Sequence, residues 1–352
     1  MSKPISQIAP LPHIAATKPY VPGGKLHGAK GPVAMLASNE NPFGPSPKAV
    51  EAAKAVVGGS HVYPDPDYGE LRAAIAAAKG IADVSRVVTA AGSDEIIHLL
   101  TQCYAGPGDE VLFTEHAFSM YRVSAGAHGA TSVTAPETDM TAGVNAILGA
   151  VSPRTKILFL ANPNNPTGTM LSVDDLKALQ DALPPHVLFV VDGAYSEYLG
   201  PGYEAELRDL VDRRDNTVMM RTFSKIYGLA AMRLGWAYMP AAIAAIYQRI
   251  RSVGDEAFLK MSRDHNTKWR AIMTDALNAL GLPTPPSHAN FIVTEFGSAE
   301  RAAAANKHLK DNDILVRAIS GYGLPTKLRI SVGSAEDNQR FLDAIKAFTA
   351  SR

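Results

Sequence analysis

The sequence has very little cysteine and no excess of charge of either sign. Cys103 is the only cysteine in 352 residues, so the chain can form neither an intramolecular disulfide framework nor a four-thiolate zinc site. Its 34 basic residues match its 34 acidic residues, and such a chain lacks the basic surface that binding to a phosphate backbone requires. We therefore expect no nucleic-acid partner, and we expect a reducing compartment, the cytoplasm.

Long apolar runs and metal-binding motifs are also missing from the sequence. No apolar run reaches the length of a membrane span, and the first residues carry scattered prolines where a signal peptide needs a continuous apolar stretch. The histidines form neither a His-Glu-x-x-His motif nor a His-x-His pair, and Gly-x-Ser-x-Gly does not occur. The sequence therefore predicts no membrane segment, no metal site and no serine hydrolase.

What the chain has is size, apolar content and alternating helix and strand patterns. Apolar residues make up 46% of the sequence, which is enough to build two packed domains. Continuous apolar runs of strand length are separated by helical patterns, as is typical of a parallel sheet that is covered on both faces. These runs are residues 110–114, 156–161, 187–192 and 217–222.

This pattern predicts an α/β fold with a mainly parallel, doubly wound sheet in a large domain, together with a smaller α+β domain. The predicted large domain covers residues 46–252. Residues 253–352 form the predicted small domain, which begins with a long polar helix, and residues 1–45 form an arm that contributes to it.

Polar residues of a particular kind follow the predicted strands. Asn162 begins a loop after the second run, Asp192 closes the third, and Lys225 follows the fourth, with Arg233 eight positions further on. Another short strand leads into a helix for which Ser93 is the expected N-cap. Because ligands bind at the carboxyl ends of parallel strands, we expect these side chains to lie around one site.

Pyridoxal phosphate (PLP) suits this set of residues. Its phosphate suits a helix N-terminus together with Ser224 and Arg233. An ionised Asp192 would keep the pyridine nitrogen protonated, and Lys225 could form a Schiff base with the aldehyde. The strand ends therefore favour a PLP site.

Longer motifs occur in a fixed order along most of the chain. They are 38–45 (SNENPFGP), 63–66 (YPDP), 91–95 (AGSDE), 162–168 (NPNNPTG), 192–195 (DGAY), 222–229 (TFSKIYGL), 233–236 (RLGW) and 328–333 (LRISVG). With these motifs the chain resembles the fold-type I PLP-dependent aminotransferases and, among them, the histidinol-phosphate aminotransferases. The resemblance extends from about residue 20 to residue 342.

The resemblance implies a role for each matching residue. Lys225 would carry the Schiff base and move a proton between the substrate α-carbon and the C4′ atom of the cofactor. The other implied cofactor contacts are Asp192 on the pyridine nitrogen, Asn165 and Tyr195 on the phenolic oxygen, Phe118 on the ring face, and Ser93, Asp94, Thr222, Ser224 and Arg233 on the phosphate.

The resemblance also implies substrate contacts and a partner subunit. Arg329 would bind the substrate α-carboxylate or the group at that place in histidinol phosphate, and Arg317 and Tyr20 would lie near the distal end. Tyr63 would reach the phosphate of the neighbouring subunit, which implies a homodimer with shared active sites. The remaining partners would be a small-molecule amino donor and a 2-oxo acid acceptor.

The implied reaction is transamination of histidinol phosphate with 2-oxoglutarate, giving imidazole-acetol phosphate and glutamate in histidine biosynthesis. An aromatic-amino-acid aminotransferase remains an alternative, because relatives with the same motifs act on that substrate class. A phosphoamino-acid decarboxylase of the same fold remains another, because the motifs do not report which bond at Cα is broken. A non-catalytic regulator is disfavoured, since it would need a fused DNA-binding domain or a basic patch.

The chain departs from the family pattern in one place. Relatives have a loop and an Ala-rich helix before the long polar helix, whereas here residues 247–254 pass directly to residues 255–258. We therefore expect a more open substrate pocket and weaker substrate discrimination.

Overall fold

The structure is a computed structural model that describes residues 11–17, 33–58, 65, 68–244 and 256–350. Its strands form one sheet of seven strands and one of four. In chain order the strands are β1 Ala34–Leu36, β2 Val87–Ala90, β3 Glu110–Thr114, β4 Thr131–Ala135, β5 Thr155–Ala161, β6 Leu188–Asp192, β7 Thr217–Thr222, β8 Gly235–Tyr238, β9 Phe291–Glu295, β10 Ile314–Ala318 and β11 Lys327–Ser331.

The seven-stranded sheet has the order β2-β8-β7-β6-β5-β3-β4. Its neighbouring strands are parallel, except that β8 runs antiparallel to both β2 and β7. Every residue of β3, β6 and β7 is buried, as expected where helices cover both faces of a sheet. The apolar runs therefore correspond to the central strands.

Helices pack on both faces of this sheet. One apolar core contains Leu71, Leu176 and Leu207 from three helices, and the core on the opposite face contains Leu100 and Tyr121 from two others. The helices of the described residues are α1 Pro12–Ala16, α2 Pro47–Val57, α3 Gly69–Lys79, α4 Ser93–Tyr104, α5 Ser119–Ala127, α6 Val144–Ala150, α7 Val173–Ala182, α8 Pro201–Asp212, α9 Ala241–Ala244, α10 Glu256–Ala279, α11 Ala299–Asp311 and α12 Ala335–Ala350.

The four-stranded sheet has the order β1-β10-β11-β9. Its strand β1 lies parallel to β10, and the other pairs are antiparallel. Residues of α10, α11 and α12 share an apolar core with it, including Met273, Leu309 and Phe341. This sheet thus joins the two ends of the sequence, and the exact domain bounds stay a prediction.

Across the residues covered by the structure, no helix has both the length and the apolar character needed to cross a bilayer. Nor do those residues contain a group of three or more His, Cys, Asp or Glu side chains that could hold a metal ion.

Candidate active site

A cavity of about 270 Å³ lies where the central strands of the large sheet end. It brings together all of the predicted site residues that the structure describes. They are Ser93, Asp94, Phe118, Asn165, Asp192, Tyr195, Thr222, Ser224, Lys225, Arg233, Arg317 and Arg329. The other two predicted residues, Tyr20 and Tyr63, lie outside the described residues, as does most of the 247–258 segment.

Asp192 provides a buried carboxylate at the end of β6. The Tyr121 hydroxyl donates to its Oδ2 atom at 2.7 Å, and the Ala194 backbone N–H donates to Oδ1 at 3.1 Å. Burial raises the pKa of Asp192 to about 6, against the lowering effect of these two hydrogen bonds. At neutral pH the carboxyl group is therefore mostly ionised and can accept a hydrogen bond from a further donor.

Lys225 provides an amine three residues beyond β7. Its Nζ atom donates to the carbonyl oxygen of Ser38 at 3.0 Å. Burial and the positive charge of Arg329 lower the pKa of Lys225 to about 8, although Glu40 acts in the opposite direction. A larger share of neutral, nucleophilic amine is therefore present near pH 7 than in an ordinary lysine.

The N-terminus of α4 faces the cavity beside Arg233. The prediction that Ser93 caps this helix is wrong, because Gly92 is the N-cap and Ser93 is the first helical residue. The turn from β2 into α4 needs the positive φ of 87° that glycine adopts easily. A Cβ atom on Gly92 would lie 2.6 Å from Nη2 of Arg233, so glycine also allows the guanidinium to approach. The result is a site suited to an anion.

Arg329 and Arg317 form the wall contributed by the small sheet. They are paired across β11 and β10, so their side chains lie on the same face. Arg329 donates to Oδ1 of Asn165 at 2.7 Å and to the carbonyl oxygen of Ala37 at 2.8 Å. Its guanidinium also lies 5.2 Å from the ring centroid of Phe291. Two guanidinium groups on one wall favour a substrate that carries carboxylate or phosphate.

Four residues that were not predicted also belong to this region. Asn39, Glu40 and Tyr322 line the cavity, and Tyr121 supports Asp192 from behind. Asn39 and Glu40 lie within the 38–45 motif, so a signal for them was present. Tyr121 is 71 residues from Asp192, and nothing in its local sequence indicates that contact.

The family model for aminotransferase class I and II matches residues 32–345. The chain therefore belongs to the class I and II aminotransferases, and the predicted fold class and enzyme class are confirmed.

Three similar proteins carry the name histidinol-phosphate aminotransferase. The chain is 90% identical to the histidinol-phosphate aminotransferase of Hyphomonas neptunium over the full length of both. It is 46% identical to that of Dinoroseobacter shibae, with 98% of this chain and 99% of the relative covered. The crystal structure of histidinol-phosphate aminotransferase from Sinorhizobium meliloti in complex with pyridoxal-5'-phosphate gives a TM-score of 0.90 at 25% identity, covering 99% of each chain.

Proposed function

We propose that this chain is a PLP-dependent aminotransferase that converts histidinol phosphate and 2-oxoglutarate into imidazole-acetol phosphate and glutamate in the cytoplasm. The observation that carries the proposal is that one cavity is lined by an amine, a buried carboxylate and a helix N-terminus beside an arginine. The name of the Hyphomonas neptunium relative supports this choice of substrate.

The residues present fit PLP. The α4 N-terminus, Ser224 and Arg233 line the cavity and together suit a phosphate. Asp192 suits the pyridine nitrogen, and Lys225 suits the aldehyde carbon. When bound there, PLP supplies a ring that spreads the negative charge left on the substrate α-carbon.

The chain's own groups then hold and move protons. The Asp192 carboxylate, ionised above a pH of about 6, would hold the proton on the pyridine nitrogen. The neutral amine of Lys225 would take a proton from the substrate α-carbon and would return it at the C4′ atom. The lowered pKa of Lys225, about 8, keeps part of this amine in its basic form at neutral pH.

The small-sheet wall would bind the anionic part of the substrate. Arg329 is held by Asn165 and by the Ala37 carbonyl, so its guanidinium is already oriented toward the cavity. Arg317 is its neighbour across the sheet. Such fixed guanidinium groups orient a carboxylate or phosphate at little entropic cost.

The proposed active unit is a homodimer. Helix α2 has no buried residue, and its Val56 and Val57 are 66% and 67% exposed. Phe43 and Met232 are further large apolar side chains with high exposure. A second copy of the chain would cover such surfaces and would bring Tyr63 to the neighbouring site.

Sedimentation and subunit mixing test the homodimer. Sedimentation should give a dimer, and mixing inactive Lys225→Ala with Tyr63→Ala protomers should restore activity. A fully active monomer would contradict the proposal.

Borohydride trapping tests the cofactor assignment. Protein incubated with PLP should gain a visible absorbance band, and reduction should fix the cofactor to the peptide that contains Lys225. Lys225→Ala is the control and should give no labelled peptide. A wild-type protein that stays colourless with PLP would overturn the proposed function.

A substrate panel tests the reaction itself. Histidinol phosphate, phenylalanine and tyrosine are compared by kcat/KM with 2-oxoglutarate as acceptor. A phosphoamino acid is supplied in a parallel assay that measures CO2 release, because histidinol phosphate has no carboxyl group to lose. A preference for the aromatic amino acids favours the aromatic aminotransferase, and CO2 release favours the decarboxylase. Because the pocket is expected to be open, we predict that the preference for histidinol phosphate is weaker than in relatives.

A further inference from the structure

Asn39 lies in the segment after β1, at the junction of the two sheets. Its φ of 56° is in the left-handed region, which asparagine tolerates better than most residues. The side chain is 1% exposed and lines the cavity. Its backbone N–H donates to Oγ of Ser331 at 2.9 Å, and its carbonyl oxygen accepts from Nδ2 of Asn290 at 3.1 Å. The backbone of Asn39 is thus fixed on both sides.

Ser331 determines which way the Asn39 amide points. The serine Oγ atom accepts the Asn39 backbone N–H, so its own proton donates to Oδ1 of Asn39 at 2.7 Å. The Nδ2 atom then faces Tyr195 and donates to its hydroxyl oxygen at 3.0 Å. In the flipped orientation the Ser331 proton would meet an N–H donor, which makes the observed orientation the favoured one.

The hydrogen bond from Asn39 defines what the Tyr195 hydroxyl can do. The Tyr195 ring is 2% exposed and packs edge-on against Phe291, with 5.4 Å between ring centroids. Its oxygen accepts from Asn39, so its own proton is left to donate into the cavity that the residue lines. A negatively charged oxygen placed in the cavity would receive that proton as a hydrogen bond.

We propose that Asn39 is a positioning residue of the reaction: through its amide it makes the Tyr195 hydroxyl a donor toward the phenolic oxygen of the cofactor. This inference rests on the proposed function, because that oxygen belongs to PLP. The hydrogen bonds run from the Asn39 backbone N–H to Ser331, from Ser331 to the Asn39 amide, and from that amide to Tyr195. Because Ser331 belongs to β11, the small sheet determines the direction in which these hydrogen bonds are donated.

Two substitutions of Asn39 test the proposal. Asn39→Asp keeps the size and the tolerance for positive φ but replaces the donor by an acceptor, which draws the Tyr195 proton away from the cavity. Asn39→Gly removes the side chain and keeps the backbone conformation without strain. Since the positive φ is accommodated in both, both variants should fold.

The measurement is the pH midpoint of the visible absorbance change of PLP-loaded protein without substrate. A donor on the phenolic oxygen stabilises the deprotonated form, which carries more negative charge there, so losing it raises the midpoint. We expect a rise of about one pH unit for Asn39→Asp, a tenfold change in the protonation equilibrium, and a smaller rise for Asn39→Gly. The dissociation constant of PLP, measured by dialysis against cofactor-free protein, should increase about 3- to 10-fold in Asn39→Asp.

The controls separate a hydrogen bond from a new charge. Asn41→Asp adds a carboxylate two residues further along the chain. The Asn41 side chain donates to the Ile226 carbonyl and to Ser262, and not to Tyr195. This variant should therefore leave the midpoint near the wild-type value. In a Tyr195→Phe background Asn39→Asp should add little further shift, because the hydroxyl it acts on is gone.

Three results would overturn the inference. They are an unchanged midpoint in Asn39→Asp, an equal shift in Asn41→Asp, and an equal shift of Asn39→Asp in the Tyr195→Phe background. A wild-type protein without any PLP-dependent band would instead overturn the proposed function, so the two failures are distinguishable.

Discussion

Replacing Tyr121 by phenylalanine removes the hydroxyl that supports Asp192 and leaves the ring in place. The ring is fully buried and stacks on Phe159, with centroids 4.9 Å apart and planes 7° from parallel. The hydroxyl donates to Asp192 at 2.7 Å. The substitution therefore tests one charge-assisted hydrogen bond with little change in packing.

The size of the effect follows from that bond. A hydrogen bond to a charged group contributes about 1.5–3 kcal/mol, and one pKa unit corresponds to about 1.4 kcal/mol. The pKa of Asp192 is about 6, the combined result of burial, which raises it, and of the Tyr121 hydrogen bond, which lowers it. Loss of the bond should therefore raise the pKa by about 1–2 units, which protonates much of Asp192 at neutral pH.

The assay is the dissociation constant of PLP, measured by dialysis against cofactor-free protein between about pH 5 and pH 9. Protonated Asp192 cannot hold the pyridine proton, so wild-type affinity should fall as the pH drops through about 6. In Tyr121→Phe the fall should begin at about 7–8. Tyr203→Phe is the matched control, because that hydroxyl bonds to Asn162 and does not line the cavity. Equal midpoints for Tyr121→Phe and wild type would refute the reasoning.

Three further predictions concern the amine, the buried charges and the glycines. The rate at which PLP attaches to Lys225 should rise with pH and level off above about 8, since its pKa is lowered to about 8; stopped-flow rates still rising steeply above about pH 9 would contradict this. Arg221→Met leaves Glu197 buried without its partner at 2.7 Å and should lower the free energy of unfolding by about 3–5 kcal/mol in urea titrations. Adding Glu197→Gln should recover much of that loss, and a loss below about 1 kcal/mol for the single variant would count against a tight pair. Gly235→Ala places a Cβ atom 2.5 Å from the backbone carbon of Gly92, so it should displace the start of α4 and weaken PLP binding at least tenfold in dialysis; unchanged affinity would show that α4 does not hold the phosphate.

The sequence predicted the central strands well, because strands that are buried on both faces consist of continuous runs of apolar residues. β7 has the predicted bounds, and β5 begins one residue earlier than predicted. β4 was not predicted, because it is an edge strand in which four of five residues are partly or fully exposed, so it has no apolar run. Burial on both faces, more than strand propensity, is what a single sequence reports.

The same distinction applies to the site. Asp192 ends an apolar run and Lys225 lies three residues beyond another, so their convergence follows from the topology of a parallel sheet. The contact of Tyr121 with Asp192 depends on how α5 packs against the sheet. The contact of Asn39 with Tyr195 depends on pairing β1 with β10, across most of the sequence. Local sequence patterns do not indicate which distant segments of the chain contact each other.

The pairing of β1 with β10 also fixes when the cavity can form during synthesis. The segment after β1 reaches its place through Arg329, bonded to Ala37, and Ser331, bonded to Asn39, each pair 292 residues apart. A nascent chain can complete the seven-stranded sheet once Tyr238 has left the ribosome, but the opposite wall waits for β11. At about 5–20 residues per second this delay is roughly 5 to 20 s. Throughout it Lys225 lacks the Ser38 carbonyl and Arg329 that later surround it, so a prematurely terminated chain would have a folded sheet without a closed cofactor pocket.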